Sequence, residues 1–170
     1  MRRAFLLLLA CAGVARADGG PNRICDDLAD CQTKCTSKNG EACLKAGAYT
    51  LAQAPDDVAK ARALYDRACR LKIGRGCMAF ARSFEDAGDT KATKQVTAAY
   101  KKAAALLEPA CTKKKIPAAC TLLSGMYTEG KGVAKNEKKA EDYYQKSCVI
   151  KFGSPCPPSA PPEPAKTRPD

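Results

Sequence analysis

Ala61-Arg-Ala-Leu64-Tyr65-Asp-Arg-Ala-Cys69 is the first of three stretches that share one pattern. The other two are Ala103-Ala-Ala-Leu106-Leu107-Glu-Pro-Ala-Cys111 and Ala140-Glu-Asp-Tyr143-Tyr144-Gln-Lys-Ser-Cys148. In each stretch an alanine, two large residues and a cysteine occupy relative positions 0, 3, 4 and 8. These positions lie on one face of an α-helix, and the other positions are mostly charged or small. The pattern therefore predicts three helices, each ending on a cysteine whose thiol points into the protein.

A second cysteine follows each of these helices at a regular interval. Seven residues separate Cys35 from Cys43, Cys69 from Cys77 and Cys148 from Cys156, and eight separate Cys111 from Cys120. The intervening residues form a polar or glycine-bearing turn, after which the second cysteine opens another helix. Adjacent antiparallel helix ends can bring two Cα atoms within the roughly 7 Å that a disulfide needs. Because so regular a spacing indicates internal repeats, we predict an all-α solenoid of about three disulfide-stapled helical hairpins.

The cysteine count agrees with disulfides. Eleven cysteines become ten, an even number, if Cys11 is removed or lipidated. Zinc is the competing interpretation, but the chain has no Cys-x-x-Cys pair and no histidine. We therefore expect no metal site and no cofactor. Cys25 and Cys31 lie outside the repeating pairs and are assigned to each other by elimination, with an exchange with Cys35 as the alternative.

The helices that begin at the second cysteines contain a small residue in their middle. It is Gly47 in one helix, Gly125 in another and Ala81 in the helix between them. Glycine costs about 1 kcal/mol inside a helix. We therefore expect a neighbouring backbone to approach closely at Gly47 and Gly125, and Ala81 to serve the same purpose less well.

Residues 120–148 resemble a Sel-1-like repeat, a relative of the tetratricopeptide repeat. The matching residues are Leu123, Gly125, Tyr127, the loop Gly130-Lys-Gly132-Val133, Lys139, Ala140, Tyr144 and Lys146. Residues 43–69 match more loosely and use Ala54-Pro-Asp-Asp57 as the turn. Residues 77–111 depart most, because this copy is about seven residues longer and carries Pro109 near its end, so its second helix is expected to be extended and bent. The paired cysteines further resemble the exported cysteine-rich subfamily of these repeats.

This resemblance implies a curved superhelix that binds a partner protein or peptide, of unknown identity, on its inner face. The candidates for that face, with burial in the core as the alternative for each, are Leu44, Tyr49, Met78, Phe80, Leu123 and Tyr127. Some members of the subfamily have been described as binding or slowly hydrolysing β-lactams, which makes β-lactam binding or weak hydrolysis the alternative function.

The residues themselves argue against an enzyme. A β-lactam-hydrolysing serine enzyme needs a serine with a lysine three residues on and a Lys-Thr-Gly strand. Ser147 is followed by Lys151 only four residues later, and Lys166-Thr167 lacks the glycine. We therefore predict no catalytic residues.

The N-terminal end of the chain predicts export, and the C-terminal end predicts a proline-rich tail. Residues 1–17 read as a signal peptide, with a charged start at Arg2 and Arg3, an apolar run and the cleavage site Ala15-Arg-Ala17. The alternative is a bacterial lipobox, Leu8-Leu-Ala-Cys11, which would place a lipid on Cys11 and tether the protein to a membrane. Either way we expect an exported protein, periplasmic or secreted in the first case. The remaining divisions are a cysteine-bearing cap over 18–34, the repeat array over 35–156 and a proline-rich tail over 157–170, which we expect to be disordered.

The formal net charge of the chain is +11. Lysines cluster at 113–115 and again at Lys131, Lys135, Lys138 and Lys139. This charge either attracts an acidic partner or envelope polymer or simply solubilises an alanine-rich scaffold. Nucleic acid is not an expected partner for an exported chain.

Overall fold

The computed structural model describes residues 24–157, and all regular secondary structure in that range is helical. The α-helices are α1 (Leu28–Thr36), α2 (Gly40–Gln53), α3 (Val58–Arg70), α4 (Gly74–Glu85), α5 (Thr93–Thr112), α6 (Pro117–Glu129) and α7 (Glu137–Phe152), with a 3-10 turn at Thr90–Ala92. The predicted all-α class is thus confirmed. No helix within 24–157 combines the length and the apolar character needed to span a membrane. The predicted signal peptide, Cys11 and the tail beyond residue 157 lie outside the described residues.

Local side-chain and backbone chemistry accounts for the helix ends. Asp27, Asn39 and Asn136 cap the starts of α1, α2 and α7, each accepting a hydrogen bond from a backbone N–H three residues on. Such caps satisfy donors that have no partner within the helix. At the other end, Gly130 and Gly153 terminate α6 and α7 with φ of 72° and 75°, a left-handed conformation that glycine adopts at little cost.

The helices pack in the order in which they follow one another. α2 packs on α3, α4 on α5 and α6 on α7, which makes three hairpins, and each hairpin also contacts the next one through neighbouring helices. α2 additionally packs on α4, the first helix of the following hairpin. Contacts confined to neighbouring repeats are the defining property of a solenoid, so the predicted array of about three hairpins is confirmed.

The core is built largely from small residues. The largest cluster lies among α4, α5 and α6, and alanine and cysteine make up most of it. Tyr100, Leu107, Leu123 and Met126 are its large, nearly inaccessible members. Two smaller clusters, each containing buried cysteines, lie among α1, α2 and α3. A core this poor in large side chains stabilises the fold less per residue than an ordinary one.

Five disulfides cross-link the described residues. They join Cys25 to Cys31, Cys35 to Cys43, Cys69 to Cys77, Cys111 to Cys120 and Cys148 to Cys156, with Cα–Cα distances from 4.4 to 5.6 Å. Three of them link the last turn of α1, α3 or α5 to the first turn of the next helix. Because α2, α4 and α6 each begin a hairpin, the second and third of these bonds connect successive hairpins, and the first, Cys35–Cys43, connects α1 to the first hairpin. None of the three joins the two helices of one hairpin.

The last disulfide departs from the expected arrangement. Cys148 lies within α7, but no helix begins at Cys156, which lies in the non-helical segment 153–157. Prolines at 155 and 157 flank that cysteine, and proline both lacks a backbone donor and disfavours helical geometry in the residue before it. The expectation that every second cysteine opens a helix is therefore wrong at Cys156.

The two glycines of the first helices also differ from expectation. A side chain at Gly47 would collide with the ring of Tyr65, so the close approach is made by a side chain of α3 and not by a backbone. A side chain at Gly125 would meet nothing within 4 Å. The expectation of close packing is wrong at Gly125, because that residue points away from the core.

The length of the long copy over residues 77–111 also has a simple explanation. Its second helix, α5, is continuous over 20 residues and contains Pro109 in its last turns. The extra length predicted from the sequence therefore extends this helix, as expected.

Candidate functional site

The six residues predicted as a binding face do not form one surface. Met78 is only 6% exposed and Leu123 is 0% exposed, and both belong to the core among α4, α5 and α6. Because a buried side chain cannot contact a partner, these two must be removed from the candidate face. Leu44 is half-buried and packs against the cluster around Cys35 and Cys43.

The three aromatic candidates are half-buried, and each makes local contacts. The Tyr49 hydroxyl donates to the Asp26 carbonyl at 3.4 Å, which ties α2 to the segment before α1. Phe80 meets Phe84 edge to face, with 5.1 Å between ring centroids. Tyr127 stacks on Tyr143 at 5.5 Å. Their contacts are with their own surroundings, so they do not converge on a common site.

Tyr143 also ties α7 to α5. Its hydroxyl donates to Glu108 Oε1 at 2.5 Å. Burial and, after it, this hydrogen bond raise the pKa of Tyr143. The stacked pair of Tyr127 and Tyr143 is therefore part of the packing between the last two hairpins.

A groove lies along α6. Its larger part, of about 770 Å³, lies between the start of α6 and the end of α7, and a smaller part, of about 390 Å³, lies between α4 and α6. The two parts share Arg75, Ile116, Ala118 and Leu122. We call this continuous depression the α6 groove; its principal lining residues are Arg75, Ile116, Ala118, Leu122, Tyr144 and Phe152.

The long helix α5 explains why the groove is open. α2 packs on α4, but α4 and α6 have no comparable contact within the described part of the chain. Leu106, Leu107 and Ala110 of α5 instead form the floor between them. Gly74 allows α4 to sit close to this floor, since an added Cβ there would lie 2.9 Å from Leu107 Cγ. The first helices of the last two hairpins are thus separated by an apolar strip.

The groove is apolar in its walls and cationic at its rim. Ile116 is 43% exposed and Phe152 is 64% exposed, although both are large apolar side chains. Arg75 Nη2 donates to Glu41 Oε2 at 2.5 Å, across from α4 to α2. Lys151 Nζ lies 4.9 Å from the centroid of the Phe152 ring. The residues that line the larger part of the groove include these two cations and no carboxylate.

Ser147 is the one serine in the wall of the larger part. It is 6% exposed, and its hydroxyl donates to the Tyr144 carbonyl at 2.7 Å. The lining of this part contains neither a carboxylate nor a histidine that could act as a general base beside it. The arrangement therefore offers apolar surface and positive charge for binding.

The loop Gly130-Lys-Gly132-Val133 has a structural role. Lys131 Nζ lies 3.1 Å from Glu85 Oε2 and 3.0 Å from Glu129 Oε2. Tyr100 donates to the same Glu85 oxygen at 2.7 Å, and burial followed by this hydrogen bond raises the pKa of Tyr100 to about 12. A side chain at Gly132, where φ is 73°, would collide with the backbone of Tyr100. The loop is thus fixed against α4 and α5, and Lys131 serves in this network.

The comparisons with known proteins concern the fold. No protein-family model matches the sequence, and no curated protein matches it. Among solved structures, the chain is similar to a Sel1 repeat protein from Oxalobacter formigenes, with 22% sequence identity and a TM-score of 0.46. The similarity covers 72% of this chain and 88% of the other. The all-α solenoid itself is established by the helix packing of this chain.

Proposed function

We propose that this protein is an exported scaffold that binds a partner protein or peptide in the α6 groove, and that it does not catalyse a reaction. The observation that carries the proposal is the exposure of Ile116 and Phe152 on the walls of one continuous groove. Large apolar side chains that remain together at the surface mark sites of interaction. The disulfides favour this use, because a rigid groove loses little conformational freedom on binding.

The proposed location follows from cysteine chemistry. Five disulfides are typical of an oxidising compartment outside the cytoplasm. Together with the signal peptide predicted over residues 1–17, they support a periplasmic or secreted protein. Attachment to a membrane through a lipid on Cys11 is the alternative within the same proposal.

Site-specific photo-crosslinking tests the proposal. A photoreactive amino acid replaces Ala118 in the groove or, as a control, Ala63 on α3; both alanines are exposed, and Ala63 lies outside the groove lining. After illumination in the native compartment we expect a discrete protein adduct at position 118 and none at position 63. Absence of an adduct at 118, or the same adducts at both positions, would contradict the proposal.

The alternative function has its own test. If the protein were a β-lactam hydrolase, the purified oxidised chain would turn over a chromogenic cephalosporin, and Ser147→Ala would remove that activity. We expect no turnover above that of buffer, because the Ser147 hydroxyl is used in a hydrogen bond to the backbone. Turnover that depends on one serine would contradict the binding proposal.

A further inference from the structure

The segment that closes the last disulfide resembles an earlier segment of the same length, with the two cysteines, a lysine and a glycine at the same positions. The earlier one is Cys69-Arg-Leu-Lys-Ile73-Gly-Arg-Gly-Cys77, and the later one is Cys148-Val-Ile-Lys-Phe152-Gly-Ser-Pro-Cys156. Ile73 and Phe152 occupy the same place between their cysteines. Ile73 packs on the first residue of α2, since a Cβ added at Gly40 would lie 2.5 Å from Ile73 Cγ1. In the earlier copy, this apolar side chain is therefore used to cover the start of the preceding first helix.

Phe152 is not used in this way. α3 ends one residue after Cys69, whereas α7 continues for four residues after Cys148, up to Phe152 itself. The chain turns later, and the phenyl ring is left at the rim of the α6 groove with 64% of its surface exposed. Removing such a large apolar side chain from water is favourable. Within residues 24–157, the start of α6 thus keeps an exposed apolar wall on which a side chain from another molecule can pack.

The charged residues around this wall indicate which kind of molecule can bind there. The larger part of the groove is lined by Arg75 and Lys151 and by no acidic residue. Arg75 has one partner, Glu41, at the edge toward α2, and its guanidinium has further donors for a second carboxylate. The formal net charge of +11 attracts acidic molecules from a distance.

We propose that the α6 groove recognises a protein segment in which a large apolar side chain is flanked by carboxylates. The apolar side chain packs between the walls that carry Ile116 and Phe152, and the carboxylates pair with Arg75 and Lys151. This inference rests on the proposed binding function and adds the chemistry of the partner and the residues that determine specificity.

Three fluorescein-labelled peptides with blocked ends test the proposal by fluorescence anisotropy on the oxidised full chain. The first is Asp-Glu-Phe-Leu-Glu-Asp, the second replaces its acidic residues by lysine, and the third replaces its apolar pair by serine. We expect the first peptide to bind about tenfold or more tightly than either of the others, because it alone satisfies both the apolar wall and the cations. Equal binding of the acidic and basic peptides, or no binding of the first up to about 1 mM, a concentration typical of a very weak complex, overturns the proposal.

Variants of exposed residues locate the binding site. Lys151→Glu and Phe152→Ser should each weaken binding of the acidic apolar peptide about tenfold, and neither replaces a core residue, since both side chains are exposed. Lys102→Glu is the matched control: it makes the same charge change at an exposed residue of α5 outside the groove lining. If Lys102→Glu weakens binding as much as Lys151→Glu, attraction is by net charge alone and the proposal fails. A groove-specific adduct in the photo-crosslinking experiment together with failure here would leave the scaffold function intact and remove only this partner chemistry.

Discussion

At the scale of single residues, a difference of one helix position gives the glycines of two similar helices opposite surroundings. Gly47 is the fourth residue after Cys43, whereas Gly125 is the fifth after Cys120. One residue corresponds to about 100° of rotation around a helix. Gly47 therefore faces the ring of Tyr65, and Gly125 faces open space. The sequence pattern showed that both helices carry a glycine near the same place, but the direction of each glycine depends on this single-residue offset.

The offset predicts opposite effects of the same substitution. Gly125→Ala should raise the free energy of unfolding by about 0.5–1 kcal/mol, because alanine is the better helix former and the added methyl group meets nothing. Gly47→Ala should lower it by about 1–3 kcal/mol, because the Tyr65 ring must move from its buried position. Urea denaturation of the two variants, followed by circular dichroism, measures both changes. A stabilising effect of Gly47→Ala would show that the Tyr65 ring is not held where the structure has it.

At the scale of helices, the sequence predicted the elements well and their last connection poorly. The spacing of apolar residues and cysteines is local, so it identified α3, α5 and α7 and their buried thiols at Cys69, Cys111 and Cys148. The missing helix at Cys156 had a signal in the sequence, because prolines flank that cysteine. The α6 groove had no such signal, because its floor belongs to α5 and its walls to α4, α6 and α7, which are brought together only by packing.

Two of the disulfides join different kinds of segment, so we expect them to stabilise the fold by different amounts. Replacing Cys69 and Cys77 by alanine should lower the free energy of unfolding by about 2–3 kcal/mol, the chain-entropy estimate for a loop of this size. The Cys148–Cys156 disulfide closes a loop of the same length, but its removal frees only the non-helical segment 153–157 at the end of the described array. We therefore expect a smaller loss from the second pair, measured by chemical denaturation of both variants. A larger loss from the second pair would mean that segment 153–157 holds α6 and α7 together.

At the scale of the whole molecule, disulfides provide part of the stability that a hydrophobic core usually provides. The buried side chains are mostly alanine and cysteine, and each repeat contacts mainly its neighbours. Two of the disulfides lie where one hairpin meets the next, and a third joins α1 to the first hairpin. They therefore strengthen the contacts on which the rigidity of a solenoid depends, and with it the shape of a groove built from successive hairpins.

Complete reduction should consequently unfold the protein near room temperature. Five disulfides closing short loops contribute roughly 10 kcal/mol in the chain-entropy model, which is comparable to the entire stability of an ordinary domain, about 5–15 kcal/mol. The measurement is the helical circular-dichroism signal in excess reductant, with protein kept oxidised as the control. Because the hairpins are joined in series, loss of the bonds between them should also abolish binding in the α6 groove before the last helical signal is lost. A helical signal that is unchanged after all ten thiols of the described cysteines are free would show that the small-residue core suffices, and that the disulfides do not decide the folded state.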